Sequence, residues 1–245
     1  MGRCNRCNQT ISGNYCSNCG LSKLPARING KYILNEIGSV LNFQRGILFS
    51  IKELLLRPGQ SVKKFIHEDR KYLVKPILFI LLCSLVHTVI FTVFGIKDNG
   101  VQVTGNDEST VKEVMQWIES KYGYLNIIIA FFVSIWLKLF FRKFGYSFFE
   151  ILILAFYLKG VGVLFRAFMG LIQGLINIEL VDFSILVTLG YFVWGSSQFF
   201  NQGKFNAYLK SFFAYLLGII TLFVCIILIL YFIDTFGSPT WLGIS

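Results

Sequence analysis

The chain opens with four cysteines, Cys4, Cys7, Cys16 and Cys19, in two Cys-x2-Cys pairs, with Gly20 directly after the second pair. Two such knuckles on a short loop set four thiolates at the corners of a tetrahedron, an arrangement suited to Zn²⁺. These cysteines are the expected metal ligands, and Zn²⁺ the expected cofactor. No catalytic constellation accompanies them. The two histidines, His67 and His87, fall on different segments, and there is no G-x-S-x-G, phosphate-binding glycine loop or H-E-x-x-H. The apolar runs also lack the aspartates that an intramembrane aspartyl protease needs. The residues therefore point to a non-enzymatic protein.

Lys159 and Arg166 form a second chemical set, because they interrupt apolar sequence. Seven residues apart, they share a helix face. A cation at mid-bilayer costs at least about 2.5–3.5 kcal/mol, so both should avoid lipid. Two readings stand open: cations lining a pore or vestibule, or side chains snorkelling to opposite interfaces. Glu150, nine residues before Lys159, is badly spaced to pair with it. With His87 in an earlier apolar run, Lys159 and Arg166 are the pore or gate candidates; for His87 the competing reading is a helix–helix hydrogen bond.

The elements that must position these residues follow from composition. Of 245 residues, 55% are hydrophobic and 15% charged, against about 25% charged in a soluble domain. The expected fold is an all-α integral membrane protein with about five transmembrane helices. A zinc ribbon (1–24), amphipathic interfacial helices (25–75) and a multi-pass domain (76–245) follow one another. The expected spans are 77–96, 124–141, 151–176, 183–200 and 210–233, each long enough for about 30 Å of hydrocarbon. Cys83 and Cys225, inside spans, read as small packing residues. Gly170-x3-Gly174 reads as a ridge for close helix approach, within the chain or between copies.

Topology follows from charge. The net charge is +10, and residues 1–75 alone carry 13 Lys and Arg against Glu36, Glu53, Glu68 and Asp69. The connection 142–149 is basic through Arg142 and Lys143, and 201–210 through Lys204 and Lys210. Residues 97–123 and 177–182 are dominated by acids, and the tail has Asp234. This alternation predicts a cytoplasmic N-terminus and an outside C-terminus. A reducing compartment favours zinc over disulfides at the four cysteines. The start has no apolar signal core, and Arg6 stands where a myristoylation motif has Ser or Thr.

Between ribbon and spans, Ile33, Ile37, Val40, Leu41, Leu48, Ile51 and Leu55 recur at helical spacing, which predicts an interfacial helix over 31–57. Arg57-Pro58-Gly59 breaks it. A short helix follows with Val62, Phe65 and Ile66 on one face. Lys63, Lys64, Arg70, Lys71 and Lys75 are the lipid-headgroup candidates, read either as a topology-fixing collar or as a surface for anionic lipid or a partner. Residues 98–110 read as an outward loop, and Ser109 to Tyr122 as an amphipathic helix. In the ribbon, Arg3, Arg6, Lys23 and Tyr15 are too few for a nucleic-acid surface, which ranks below a protein partner.

With these parts placed, the chain resembles an uncharacterised family of bacterial membrane proteins common in Bacteroidota. The resemblance rests on the Cys-x2-Cys…Cys-x2-Cys-Gly ribbon, on Arg57-Pro58-Gly59, on Arg70-Lys71-Tyr72 leading to Pro76, and on Tyr146-Ser147-Phe148-Phe149-Glu150. Ile151 stands where that family often has His. The five-span layout is similar to Yip-type membrane proteins. The resemblance implies the inner (cytoplasmic) membrane and no established activity. The expected function is a non-enzymatic inner-membrane protein, a homo-oligomer, whose cytoplasmic ribbon docks or senses a protein partner. The alternative is a channel or transporter lined by the cations of the third span.

Overall fold

The computed structural model describes residues 2–4, 7, 9–11, 16–19, 46–96, 122–176, 180–201 and 205–236. The chain divides into two compact units, Met1–Asn42 and Phe43–Ser245. In the first, strands β1 (Gly2–Arg3) and β2 (Thr10–Ile11) pair antiparallel, with Arg3 opposite Thr10. Lys23, Arg6, Tyr15, residues 31–45 of the expected interfacial helix, the 98–110 loop and most of the Ser109–Tyr122 helix lie outside the described residues.

The second unit is helical: α1 (Ile47–Leu56), α2 (Pro58–His67), α3 (Pro76–Val93), α4 (Tyr122–Phe140), α5 (Phe148–Ile176), α6 (Phe183–Asn201) and α7 (Phe205–Phe236). A 3₁₀ turn, Arg142–Phe144, precedes α5. Prolines set two of the starts. Pro58 and Pro76 open α2 and α3, where a missing N–H is no loss, and they drive Arg57 and Lys75 out of helical geometry. Gly145, at φ 75°, takes the left-handed conformation that ends the 3₁₀ turn. Ser147 and Glu150 then form a capping box: the Ser147 N–H donates to Glu150 Oε2 (2.6 Å) and the Glu150 N–H to Ser147 Oγ (3.2 Å). That box starts the third long apolar helix at 148 rather than 151.

Among the described residues four helices are long and apolar enough to cross a membrane: α3, α5, α6 and the 205–229 part of α7; a shorter apolar stretch covers Tyr124–Phe140 of α4. Helix α5 is central. It packs most extensively on α3, then on α6 and α4, and also meets α1 and α2. Of its apolar window 61% is buried, against 22% for α7. Close approach is built from glycines, as helix association in lipid requires. A Cβ on Gly160 would lie 2.7 Å from the Phe79 ring, and one on Gly170 2.5 Å from the Phe91 ring. Gly174 likewise receives Phe94. The Gly170-x3-Gly174 ridge thus serves packing of α5 on a parallel α3. Helix α6 runs antiparallel to α5: Gly195 faces Leu158, and the Phe165 and Tyr191 rings lie 5.4 Å apart. Trp136 Nε1 donates to Thr221 Oγ1 (2.8 Å), tying α4 to α7.

Candidate metal centre and the polar residues of the membrane unit

The β hairpin carries the first knuckle. Cys4 follows β1 directly, and its N–H donates to the Gln9 carbonyl at 2.9 Å. Cys16 and Cys19 flank a turn through Ser17 and Asn18. The four Sγ atoms lie within 4.8 Å of one another. Cys4–Cys19 and Cys7–Cys16 are each 3.4 Å apart and Cys7–Cys19 3.6 Å, and none of the four is in a disulfide. A disulfide needs about 2.05 Å. Thiolates about 2.3 Å from a tetrahedral Zn²⁺ sit about 3.8 Å from each other. The spacing therefore fits a shared metal ion and not a cross-link. Backbone N–H groups of Cys19 and then Asn18 hold the Cys16 thiol below its ordinary value, favouring the thiolate that a metal requires. Cys4 and Cys16 are buried. Four protein ligands would close the coordination sphere, leaving no position for water or substrate.

The cations of α5 part company. Lys159 is buried, and its Nζ donates to Tyr215 Oη of α7 (3.3 Å) with the ammonium 5.4 Å from that ring's centre. Arg166, half-buried, places its guanidinium 6.0 Å from the Phe91 ring of α3. His87 is buried and stacks on the same Phe91, ring centres 4.0 Å apart. Cys83 is fully buried and Cys225 half-buried, both in packed helices.

The segment 46–75 forms a platform fastened to the ends of α5 and α6. Helix α1 docks through Ser50 and Leu54, whereas Leu48 and Leu55, expected on its apolar face, are exposed. Backbone contacts decide the face: Tyr191 Oη donates to the Leu54 carbonyl (2.8 Å), and the Val74 N–H donates to Ser50 Oγ (3.0 Å). Glu53 Oε2 accepts from Tyr72 Oη (2.8 Å) and Ser61 Oγ (3.1 Å). Tyr157 Oη donates to the Val74 carbonyl (2.6 Å). Burial, then the bond to Glu53, pushes the Tyr72 hydroxyl up to about 12. Of the headgroup candidates, Lys64, Arg70, Lys71 and Lys75 are exposed, with the Lys64 ammonium 4.1 Å over the Tyr72 ring. Lys63 is half-buried, 5.6 Å over the Phe199 ring. The Glu53 network escaped sequence reading because its partners lie 8 and 19 residues away; the bonds from α5 and α6 to the platform backbone did leave a hint, Tyr157 and Tyr191 in apolar helices where a hydroxyl demands a partner.

Fold and site together define a helical, membrane-type protein with a four-cysteine site able to hold a metal ion. Residues 44–88 match a family described as a protein of unknown function, DUF3667. The matched stretch comprises the platform and α3 as far as residue 88. No curated protein matches the chain. No solved structure matches it either.

Proposed function

We propose that this is a non-enzymatic multi-pass protein of the bacterial inner membrane whose N-terminal ribbon, held by Zn²⁺, docks a cytoplasmic protein partner. The observation that carries the reading is the cluster of four cysteine sulfurs at metal-sharing distances in a compact unit of its own. A four-thiolate site is chemically closed, which suits a structural module and not a reaction centre. In this reading α4 completes five crossings, the N-terminus lies inside, and the protein works as a homo-oligomer. The basic residues support that orientation. Lys52, Arg57, Lys75, Arg142 and Lys143 all belong to the end where α3 and α5 begin, and Asp182 belongs to the other. Site-specific photocross-linking from the ribbon in living cells tests the docking role. The expected result is one discrete adduct that vanishes when Cys4 and Cys7 are both changed to Ser while membrane insertion persists. Unchanged adducts in that variant would sink it.

A second reading, a channel or transporter, draws support from Lys159, a cation buried inside the apolar bundle. Flux of ions through proteoliposomes, compared with Lys159→Gln/Arg166→Gln, separates the two. Flux altered by the double variant would favour the pore.

A further inference from the structure

Two elements bring basic side chains to one corner at the platform end of α5. Helix α2 contributes Lys63 and the exposed His67, and the turn before α5 contributes the exposed Arg142 and Lys143. The rings between them are continuous. His67 lies 5.8 Å from Tyr146, which lies 4.6 Å from Phe199, the ring beneath Lys63. Phe200, 5.1 Å from Phe199, is 5.8 Å from Phe144 beside Lys143. Of the nearby carboxylates, Glu150 is occupied in the capping box of α5 and Asp69 Oδ1 accepts from the Lys71 N–H, while the exposed Glu68 follows His67.

We propose that this corner binds the headgroup of an anionic phospholipid. The phosphate accepts from Lys63, Arg142 and Lys143, and an acyl chain lies on the exposed rings of Phe144 and Phe149. Two observations select a lipid over other anions. The turn joins two apolar helices, one of them long enough to cross a membrane, so it meets the headgroup layer. Phe144, next to Lys143 in the chain, is 43% exposed and Phe149, in the first turn of α5, is 73% exposed, an apolar surface that an inorganic anion or an acidic peptide leaves unused. Burial holds the Lys63 ammonium below its ordinary value, and a phosphate beside it would reverse that loss.

The test uses the full chain in nanodiscs of phosphatidylcholine with or without phosphatidylglycerol, reading retained lipid by native mass spectrometry and thermal unfolding. Wild type should retain phosphatidylglycerol selectively and melt higher with it. Arg142→Gln/Lys143→Gln should weaken retention about tenfold. Lys52→Gln/Arg57→Gln, the same charge change at exposed residues elsewhere on the platform, should leave it unchanged. If the first double variant does not fold, Lys63→Gln is read in the same way. Equal loss in both double variants would mean diffuse attraction and overturn the site. So would equal stabilisation by glycerophosphate, or no preference for phosphatidylglycerol in wild type.

Discussion

Cys16 shows how little chain a four-cysteine site able to hold a metal ion needs. One turn supplies both its neighbour Cys19 and the N–H groups that lower its thiol, and the spacing made the four-cysteine cluster legible. Metal analysis of the purified protein should find one zinc per chain. Cys16→Ser should remove most of it, and the melting of the separate helical unit should not move. Tyr72 is the opposite case, a role invisible in the sequence because its acceptor is Glu53. Tyr72→Phe removes a hydrogen bond to a charged group, and because the site is partly open to water the cost should be about 1 kcal/mol. The pH dependence follows from the raised hydroxyl. Its contribution is complete below the unfolded value of 10.0 and is lost as pH rises through about 12. Alkaline melts of wild type should therefore fall more steeply above pH 10 than those of Tyr72→Phe. Parallel curves would show that the Tyr72 bond does not contribute.

At the scale of elements, Arg57-Pro58-Gly59 has a packing reason beyond its turn. A Cβ on Gly59 would meet the Phe199 backbone nitrogen at 2.5 Å and Gln198 Cβ at 2.6 Å. Helix α2 can therefore cross α6 only with glycine there, and a backbone atom cannot swing aside as a side chain would. Gly59→Ala should destabilise the helical unit by about 1–3 kcal/mol in detergent melts; a loss within error would mean that α2 is not seated on α6. Apolar length made the long helices legible, but their ends were set by local chemistry that hydropathy does not carry. Helix α3 stops at Val93, with Gly95 at φ 61°, three residues short of the expected limit. Helix α5 starts earlier because Ser147 and Glu150 cap it. The face by which α1 docks on the bundle lay outside the sequence reading for a related reason. Its apolar residues cover more than one face, and hydrogen bonds from Tyr191 and Val74 select Ser50 and Leu54 instead of the more apolar side.

For the whole molecule, the arrangement of helix ends turns a charge pattern into geometry. Phe141, at the end of α4, stacks on Phe200 at the end of α6 (3.9 Å), and α6 ends beside Pro58 and Gly59 of the platform. At the other pole, Gln173 Oε1 accepts from the N–H groups of Leu180 and Val181, and Phe94 meets Gly174. Basic residues therefore collect around the platform, while Asp182 sits at the far pole. Five crossings require α4, with its apolar stretch of 17 residues, to carry the chain from the far pole back to the platform. At about 1.5 Å per residue its 19-residue helix reaches nearly 30 Å. Single cysteines placed at Lys143, Gly95 and Asp182 and labelled with a membrane-impermeant maleimide decide this. Those at Gly95 and Asp182 should react in intact spheroplasts, and that at Lys143 only after permeabilisation. Each is placed in a background with Cys4, Cys7, Cys16, Cys19 and Cys225 changed to Ser, Cys83 being fully buried, so that only the introduced cysteine reports. Like labelling at Lys143 and Gly95 would mean that α4 does not cross, leaving four crossings.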